Sequence, residues 1–183
     1  MALKDYEDVT GFTLDEERMG ELLTAQNECS FVWGTRDGWP VGVIMSYVWR
    51  DGRVWLTSSR RRKRITAIQR DDRVSVIVSG LGTPVGSGKT VTIKGRARLH
   101  DDAGVKAWFY PALAAAIFPG NDRRQQNFSR FLDSPGRVII EVVPVGTISH
   151  DIDKLAAAAS ETLRVERETS GTGGPLSTNR SVD

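Results

Sequence analysis

Apolar and polar positions along the chain change rhythm at Ser30. Before it, Leu14, Met19, Leu22 and Leu23 recur at helical spacing. Thr13-Leu-Asp-Glu16 reads as a capping box, in which the Thr13 hydroxyl and the Glu16 carboxylate satisfy the first amides. The pattern predicts a helix that ends near Asn27. From Ser30 onward the texture is β: Ser30–Thr35, Val41–Trp49 and Arg53–Thr57 read as strands. Asp37-Gly38 and Asp51-Gly52 separate them, and Asp-Gly pairs favour tight hairpin turns. A three-stranded antiparallel meander is therefore predicted. A short helix over Arg62–Arg70 follows, with Ile65, Ala67 and Ile68 on its inner side. Arg73–Ser79 is rich in β-branched residues. Val91–Leu99 alternates strictly, with Val91, Ile93, Gly95, Ala97 and Leu99 facing one way and Thr92, Lys94, Arg96 and Arg98 the other.

The second half begins with an alanine-rich helix from Asp102 to about Phe118, broken at Pro111. A further helix runs over Asn121–Leu132, with Phe128, Phe131 and Leu132 on one side, and Asp133-Ser-Pro-Gly136 stops it. Arg137–Val143 and then Gly146–Ser149 are strand-like, and Asp153–Glu168 predicts a terminal helix. This pattern predicts a mainly β fold with peripheral helices, a six-stranded antiparallel split β-barrel. Residues 1–12 form an N-terminal arm, 13–152 the barrel domain, and 153–183 a C-terminal helix with a flexible tail.

Composition narrows the function classes. Of the 183 residues, 39% are apolar and 26% charged, a profile that supports a well-buried core. Twenty-five Lys and Arg stand against 23 Asp and Glu, for a net charge of +2, so attraction to anions has to be local. One cysteine, Cys29, excludes an internal disulfide, and two histidines, His100 and His150, offer little to zinc. The first residues carry no secretory signal, and the longest apolar run, Ala112–Phe118, is too short to cross a bilayer. A soluble cytoplasmic protein without a membrane partner is expected.

Thr83-Pro-Val-Gly-Ser-Gly-Lys-Thr90 superficially resembles a phosphate loop. The first glycine of that motif is replaced by Thr83, and the segment opens a strand-like run where a phosphate loop opens a helix. It reads as a connection between strands. The more informative stretch is Thr57-Ser-Ser-Arg-Arg-Arg-Lys-Arg64. Five consecutive cations, Arg60 to Arg64, crowd the start of a predicted helix, where the backbone dipole is already positive. They are either solvated or gathered round an anion. Thr57, Ser58 and Ser59 add hydroxyls beside the open first amides, which together make a phosphate cradle. Nucleic acid is a weaker reading of the same run, because net charge is near neutral and no binding-module signature is present.

Strand order and this motif together resemble the pyridoxamine 5′-phosphate oxidase-like family of flavin-binding split barrels. The residues carrying the resemblance are Asp37-Gly-Trp-Pro-Val41, Val48-Trp-Arg-Asp-Gly-Arg-Val-Trp-Leu-Thr57, the basic turn, Ile68-Gln-Arg-Asp-Asp-Arg-Val-Ser75 and Lys94-Gly-Arg-Ala-Arg-Leu99. The resemblance spans roughly Leu22 to His150. It implies FMN, or alternatively the 8-hydroxy-5-deazaflavin coenzyme, bound at a homodimer interface and passing hydride to a small organic substrate. The cofactor phosphate then falls to Lys63 and Arg64, with Thr57, Ser58, Ser59 and Arg62 beside it. The strand containing Val43, Ile44, Met45 and Ser46 lines the ring.

The resemblance assigns no catalytic side chain, since the flavin carries the hydride chemistry. His150 is a candidate donor to substrate or ring, but a lone histidine near a strand end is more often structural or solvated. Two departures point away from a true pyridoxamine phosphate oxidase: Val48 stands where a basic residue is expected, and Ile148-Ser-His-Asp151 lacks the substrate-binding Arg motif. A flavin-binding or storage protein without turnover is the alternative within the same fold.

Overall fold

A computed structural model of the chain describes residues 9–170. The expected arm over residues 1–8 and the tail after Ser170 lie outside the described residues. Helix α1 spans Glu16–Ala25 and is followed by β1 (Glu28–Gly34), β2 (Pro40–Ser46), β3 (Val48–Arg50) and β4 (Arg53–Ser59). Then come α2 (Lys63–Arg70), β5 (Arg73–Ser79), β6 (Lys89–His100), α3 (Ala103–Ile117), α4 (Asp122–Leu132), β7 (Arg137–Asp151) and α5 (Ile152–Ser170). The strands form one sheet in the order β2-β1-β5-β6-β7-β4-β3, and all neighbours are antiparallel.

β2 and β3 sit at opposite ends of that order, yet only Tyr47 separates them. Six inter-strand spacings in a flat sheet would hold them roughly 29 Å apart. One residue spans about 3.5 Å. The sheet is therefore rolled until its two edges meet, which is the split barrel the sequence predicts. The strand count differs: Val41–Trp49, expected as one strand, is two, so the barrel has seven strands. Tyr47 interrupts the ladder because its hydroxyl is claimed by the last turn of α1 and its amide by the link from α1 to β1. Its hydroxyl donates to Leu23 O at 2.8 Å and its amide to Asn27 O at 3.0 Å. The expected meander thus becomes two hairpins at opposite edges. The second turns through Asp51 (φ 53) and Gly52 (φ 70), the pair of positive φ values that its Asp-Gly sequence favours.

The barrel interior holds one face of every long strand. Along β7, Val138, Ile140 and Val142 point inward, with Phe31, Leu56, Val76 and Ile93 among their neighbours in the core. The alternate residue Ile139 faces outward with Trp55, beneath Phe109, Tyr110 and Leu113 of α3 and Leu132 of α4. The two helices thus cap one outer flank of the barrel. Among the described residues, nothing covers the outer surface of β2, β1, β5 and β6.

Several local expectations are corrected. The cap of α1 is Asp15, which accepts from Arg18 N, rather than Thr13. Thr13 belongs to a non-helical segment tied to the end of β7 and the start of α5: Leu14 N donates to Ser149 Oγ, and Lys154 Nζ to Thr13 O. α3 runs unbroken through Pro111. Its buried face of Phe109, Tyr110, Leu113 and Ala114 holds the helix where intrinsic propensity would end it. Phe131 is exposed on α4, unlike Phe128 and Leu132. The last two strand-like runs are one strand, β7, with a register shift opposite Lys94 and Gly95. A Cβ at Gly95 would lie 2.4 Å from Val142 Cγ1, so only glycine lets these strands close there.

Candidate functional site

The phosphate-loop lookalike enters β6 directly, as its sequence predicts. Its lysine, Lys89, is buried, with Nζ 2.6 Å from Asp153 Oδ2 and 4.0 Å from Asp151 Oδ1. An ammonium so engaged is not offered to a ligand.

The basic run lies at the exit of β4. Arg60 N donates to Gly136 O, Arg62 N to Ser59 O, and α2 then starts at Lys63. Arg62 occupies the N-cap position, and its side chain makes no cap hydrogen bond. The first amides of α2 therefore open toward whatever lies in front of them. The five cations take different directions. Arg60 pairs with Asp101, whose carboxylate also takes Lys106 Nζ at 2.7 Å. Arg61, Arg62 and Lys63 are exposed. Arg64 turns inward, its Nη1 against Met45 Sδ and its guanidinium 5.5 Å from the Trp33 ring centre. Burial, then the charge of Arg62, hold the Arg64 pKa below its ordinary value.

The Arg64–Met45 contact joins the start of α2 to β2. As an edge strand in the sheet order, β2 has one side of its backbone without a strand partner among the described residues. Val43 and Met45 lie opposite Phe31 and Cys29, toward the interior, whereas Ile44 and Ser46 lie opposite Ser30 and Glu28 on the outer face. The hydroxyls are likewise divided. Ser58 is buried on the inner side of β4, where its Oγ donates to Ser59 O. Thr57 and Ser59 lie on the outer side; Thr57 Oγ1 donates to Val138 O at 2.9 Å, and Ser59 Oγ accepts from Arg61 N at 3.4 Å. Of the candidate residues, the structure brings Met45, Arg62, Lys63 and Arg64 together. It places Thr57 and Ser59 at the strand end beside them and directs Ser58 elsewhere. His150 lies opposite Thr90 on β7, away from this corner.

A second polar constellation was not foreseen from the sequence. Glu141 is 2% exposed on the outer side of β7, beneath α3. Its carboxylate accepts from Arg53 Nη1 and is 2.8 Å from His100 Nε2. Trp55 stands beside it, packed edge-on against Trp108 with ring centres 5.0 Å apart, while Arg50 lies 4.4 Å over the Trp108 ring. Burial raises the pKa of Glu141, but the hydrogen bonds from His100 and Arg53 outweigh it and hold the carboxyl below its ordinary value. The available signal was a single carboxylate inside the apolar run Val138–Val143. A charge in that position requires a partner.

The family model described as pyridoxamine 5′-phosphate oxidase matches residues 16–147. No curated protein matches the chain. Among solved structures, a conserved hypothetical protein of Mycobacterium tuberculosis is similar at 20% identity and TM-score 0.69, over 80% of this chain and 91% of its own. An FAD-binding protein of Mesorhizobium loti is similar at 22% identity and TM-score 0.54, over 75% and 94% of the two chains. A protein described as an F420 reductase is similar at 18% identity and TM-score 0.53, over 69% and 93%. At these identities the likeness is one of fold.

Proposed function

Because the chain belongs to the pyridoxamine 5′-phosphate oxidase family, we propose that it is a flavin- or deazaflavin-dependent oxidoreductase acting on a small organic substrate. FMN is the cofactor best suited to the corner between α2 and β2. The carrying observation is the contact of Arg64 with Met45, which sets the uncapped, cationic start of α2 against the free edge of β2. One end of such a corner suits a phosphate, and the other offers main-chain donors and acceptors to a heterocycle. Fold neighbours described as an FAD-binding protein and an F420 reductase agree with a ligand of this kind.

In this reading Lys63 and Arg62 hold the phosphate together with the first amides of α2, and Ser59 and Thr57 supply hydroxyls at its rim. Arg64 fixes the junction between phosphate and ring, with its side chain braced by Trp33 and Met45. Val43 to Ser46 line the ring by their backbone. When bound, the flavin supplies the hydride transfer, and the chain's part is to bind, orient and keep water away. The bare outer face of the barrel supports a homodimer. Ile44, Ser30, Ile77, Thr92 and Ile148 are successive cross-strand partners across five strands, and Ile44 and Ile148 are 66% and 60% exposed. Three isoleucines alternating with the small hydroxyl residues Ser30 and Thr92 support an interface on this face.

Fluorescence titration with FMN and with the deazaflavin coenzyme tests the proposal. Saturable binding of either is expected, and Lys63→Ala with Arg64→Ala should weaken it by about 3 kcal/mol or more, the scale of lost charge-assisted bonds. Failure of both cofactors to bind, or unchanged affinity in the double variant, overturns the site assignment. Binding without reduction of quinones, nitro compounds or tetrapyrroles would instead indicate a flavin-storage protein.

A further inference from the structure

The register shift in the long β6–β7 ladder falls on the uncovered outer face of the barrel. Lys94 pairs with Gly146 and Gly95 with Pro144, so Val145 is the extra residue of a β-bulge. Bulges turn a side chain out of the pleat and are over-represented next to active sites. Val145 is 67% exposed and forms part of a pocket of about 410 Å³, lined also by Val32, Pro40, Ser75 and Lys94. Small-molecule sites have volumes of roughly 300–1,000 Å³. The hollow follows from side-chain size. Gly42, Val32, Ser75, Lys94 and Gly146 are successive cross-strand partners, a low row with a glycine at each end. It runs between the taller Ile44–Ile148 row on one side and Pro40, Arg73 and Arg96 on the other. Glycine at 146 leaves room for the Lys94 side chain, whose Cε lies 3.4 Å from where a Cβ would stand.

The lining is one-sided in charge: Arg73, Lys94 and Arg96 belong to it and no carboxylate does. Arg73 is matched by Asp71 and Arg96 by Asp72, both outside the pocket. Lys94 has no ion-pair partner among the described residues, and the Ser75 hydroxyl, opposite it on β5, has no hydrogen-bond partner there. An ammonium only donates and a hydroxyl is able to, so the two suit an acceptor. The remaining lining is largely apolar, with Val32, Pro40 and Val145 around them. We propose that this pocket binds a small organic anion, its apolar body against Val32, Pro40 and Val145 and its carboxylate or phosphate oxygens accepting from Lys94 Nζ and the Ser75 hydroxyl. Arg73 Nη1 and Arg96 Nη2, which the two aspartates leave unused, are further donors in the same lining. The pocket adjoins the Ile44–Ile148 row and shares Trp33 with the cofactor corner, but the site does not rest on the cofactor reading.

Calorimetric titration of the full chain with cinnamate, with phenyl phosphate and with the uncharged cinnamyl alcohol tests this. Saturable binding of at least one anion is expected, and the alcohol should bind about tenfold more weakly or worse. Binding of cinnamate alone indicates a carboxylate ligand, of phenyl phosphate alone a phosphorylated one, and of both a site that reads charge. Lys94→Met should lower anion affinity about tenfold. Its melting temperature should not fall, because that ammonium has no ion pair to lose. Val145→Glu puts a carboxylate into the wall at an exposed position and should abolish anion binding. Absence of saturable binding of either anion, or equal binding of cinnamate and cinnamyl alcohol, overturns the site. Affinity unchanged in Lys94→Met or in Val145→Glu also overturns it, and displacement of the anion by FMN in those variants would place it at the start of α2.

Discussion

Replacing Glu141 by glutamine tests whether the polar knot beneath α3 is a charged, stabilising structure. The side chain is 2% exposed and is gripped by Arg53 and by His100 Nε2 at 2.8 Å. Glutamine keeps the shape but turns an NH₂ group toward a donor, so one charge-assisted bond is lost and another weakened. Arg53 is 43% exposed, which lets water recover part of the loss. The expected cost is about 2–3 kcal/mol at pH 7, less than for stripping a fully buried pair. For a chain of this size that corresponds to roughly 4–12 °C in melting temperature.

The sign of the pH dependence follows from the depressed carboxyl. A folded pKa below the unfolded value of about 4.3 gives stability that is complete above that value and fades as pH falls through the folded one. The gap between wild type and Glu141→Gln in urea denaturation should therefore narrow below about pH 4. Equal stability of the two proteins at pH 7, or a gap that stays constant down to pH 3, would refute the reasoning.

Two further outcomes are expected. If the proposed homodimer uses the cross-strand row, the wild type should sediment as a dimer and Ile44→Asp combined with Ile148→Asp as a folded monomer; a variant that still dimerises would locate the interface elsewhere. Burial, with a smaller effect of Glu28, pushes the Cys29 thiol up to about 12. The folded protein should therefore resist thiol reagents at pH 8 and react after denaturation, and rapid labelling of the native chain would contradict this.

Local pattern carried much of the fold. Arg73–Ser79 and the inward Ile65, Ala67 and Ile68 emerge where alternation and helical period put them. The barrel was legible as strand order, because Asp-Gly turns and alternating faces are encoded within a few residues. What escaped were effects of distant partners. Tyr47 leaves the ladder for Leu23 and Asn27, and Pro111 is carried through α3 by the surface it buries. The clustering of Arg62, Lys63 and Arg64 at a helix start was readable. The inward turn of Arg64 and the burial of Ser58 were not, since they depend on which strand lies opposite. Glu141 was visible only as an anomaly. Its partners come from strands 41 and 88 residues away in sequence.

The single residue between β2 and β3 has a consequence for how this architecture can vary. Tyr47 works as the clasp of a hoop: its hydroxyl is pinned from α1 and its amide from the residues just after that helix, while the chain on each side leaves for a different rim of the sheet. Lengthening the chain there would slacken the hoop without adding a loop that solvent could absorb, because the clasp is buried. Diversification is left to the surface connections, such as the glycine-rich link between β5 and β6, where extra residues leave the circumference unchanged.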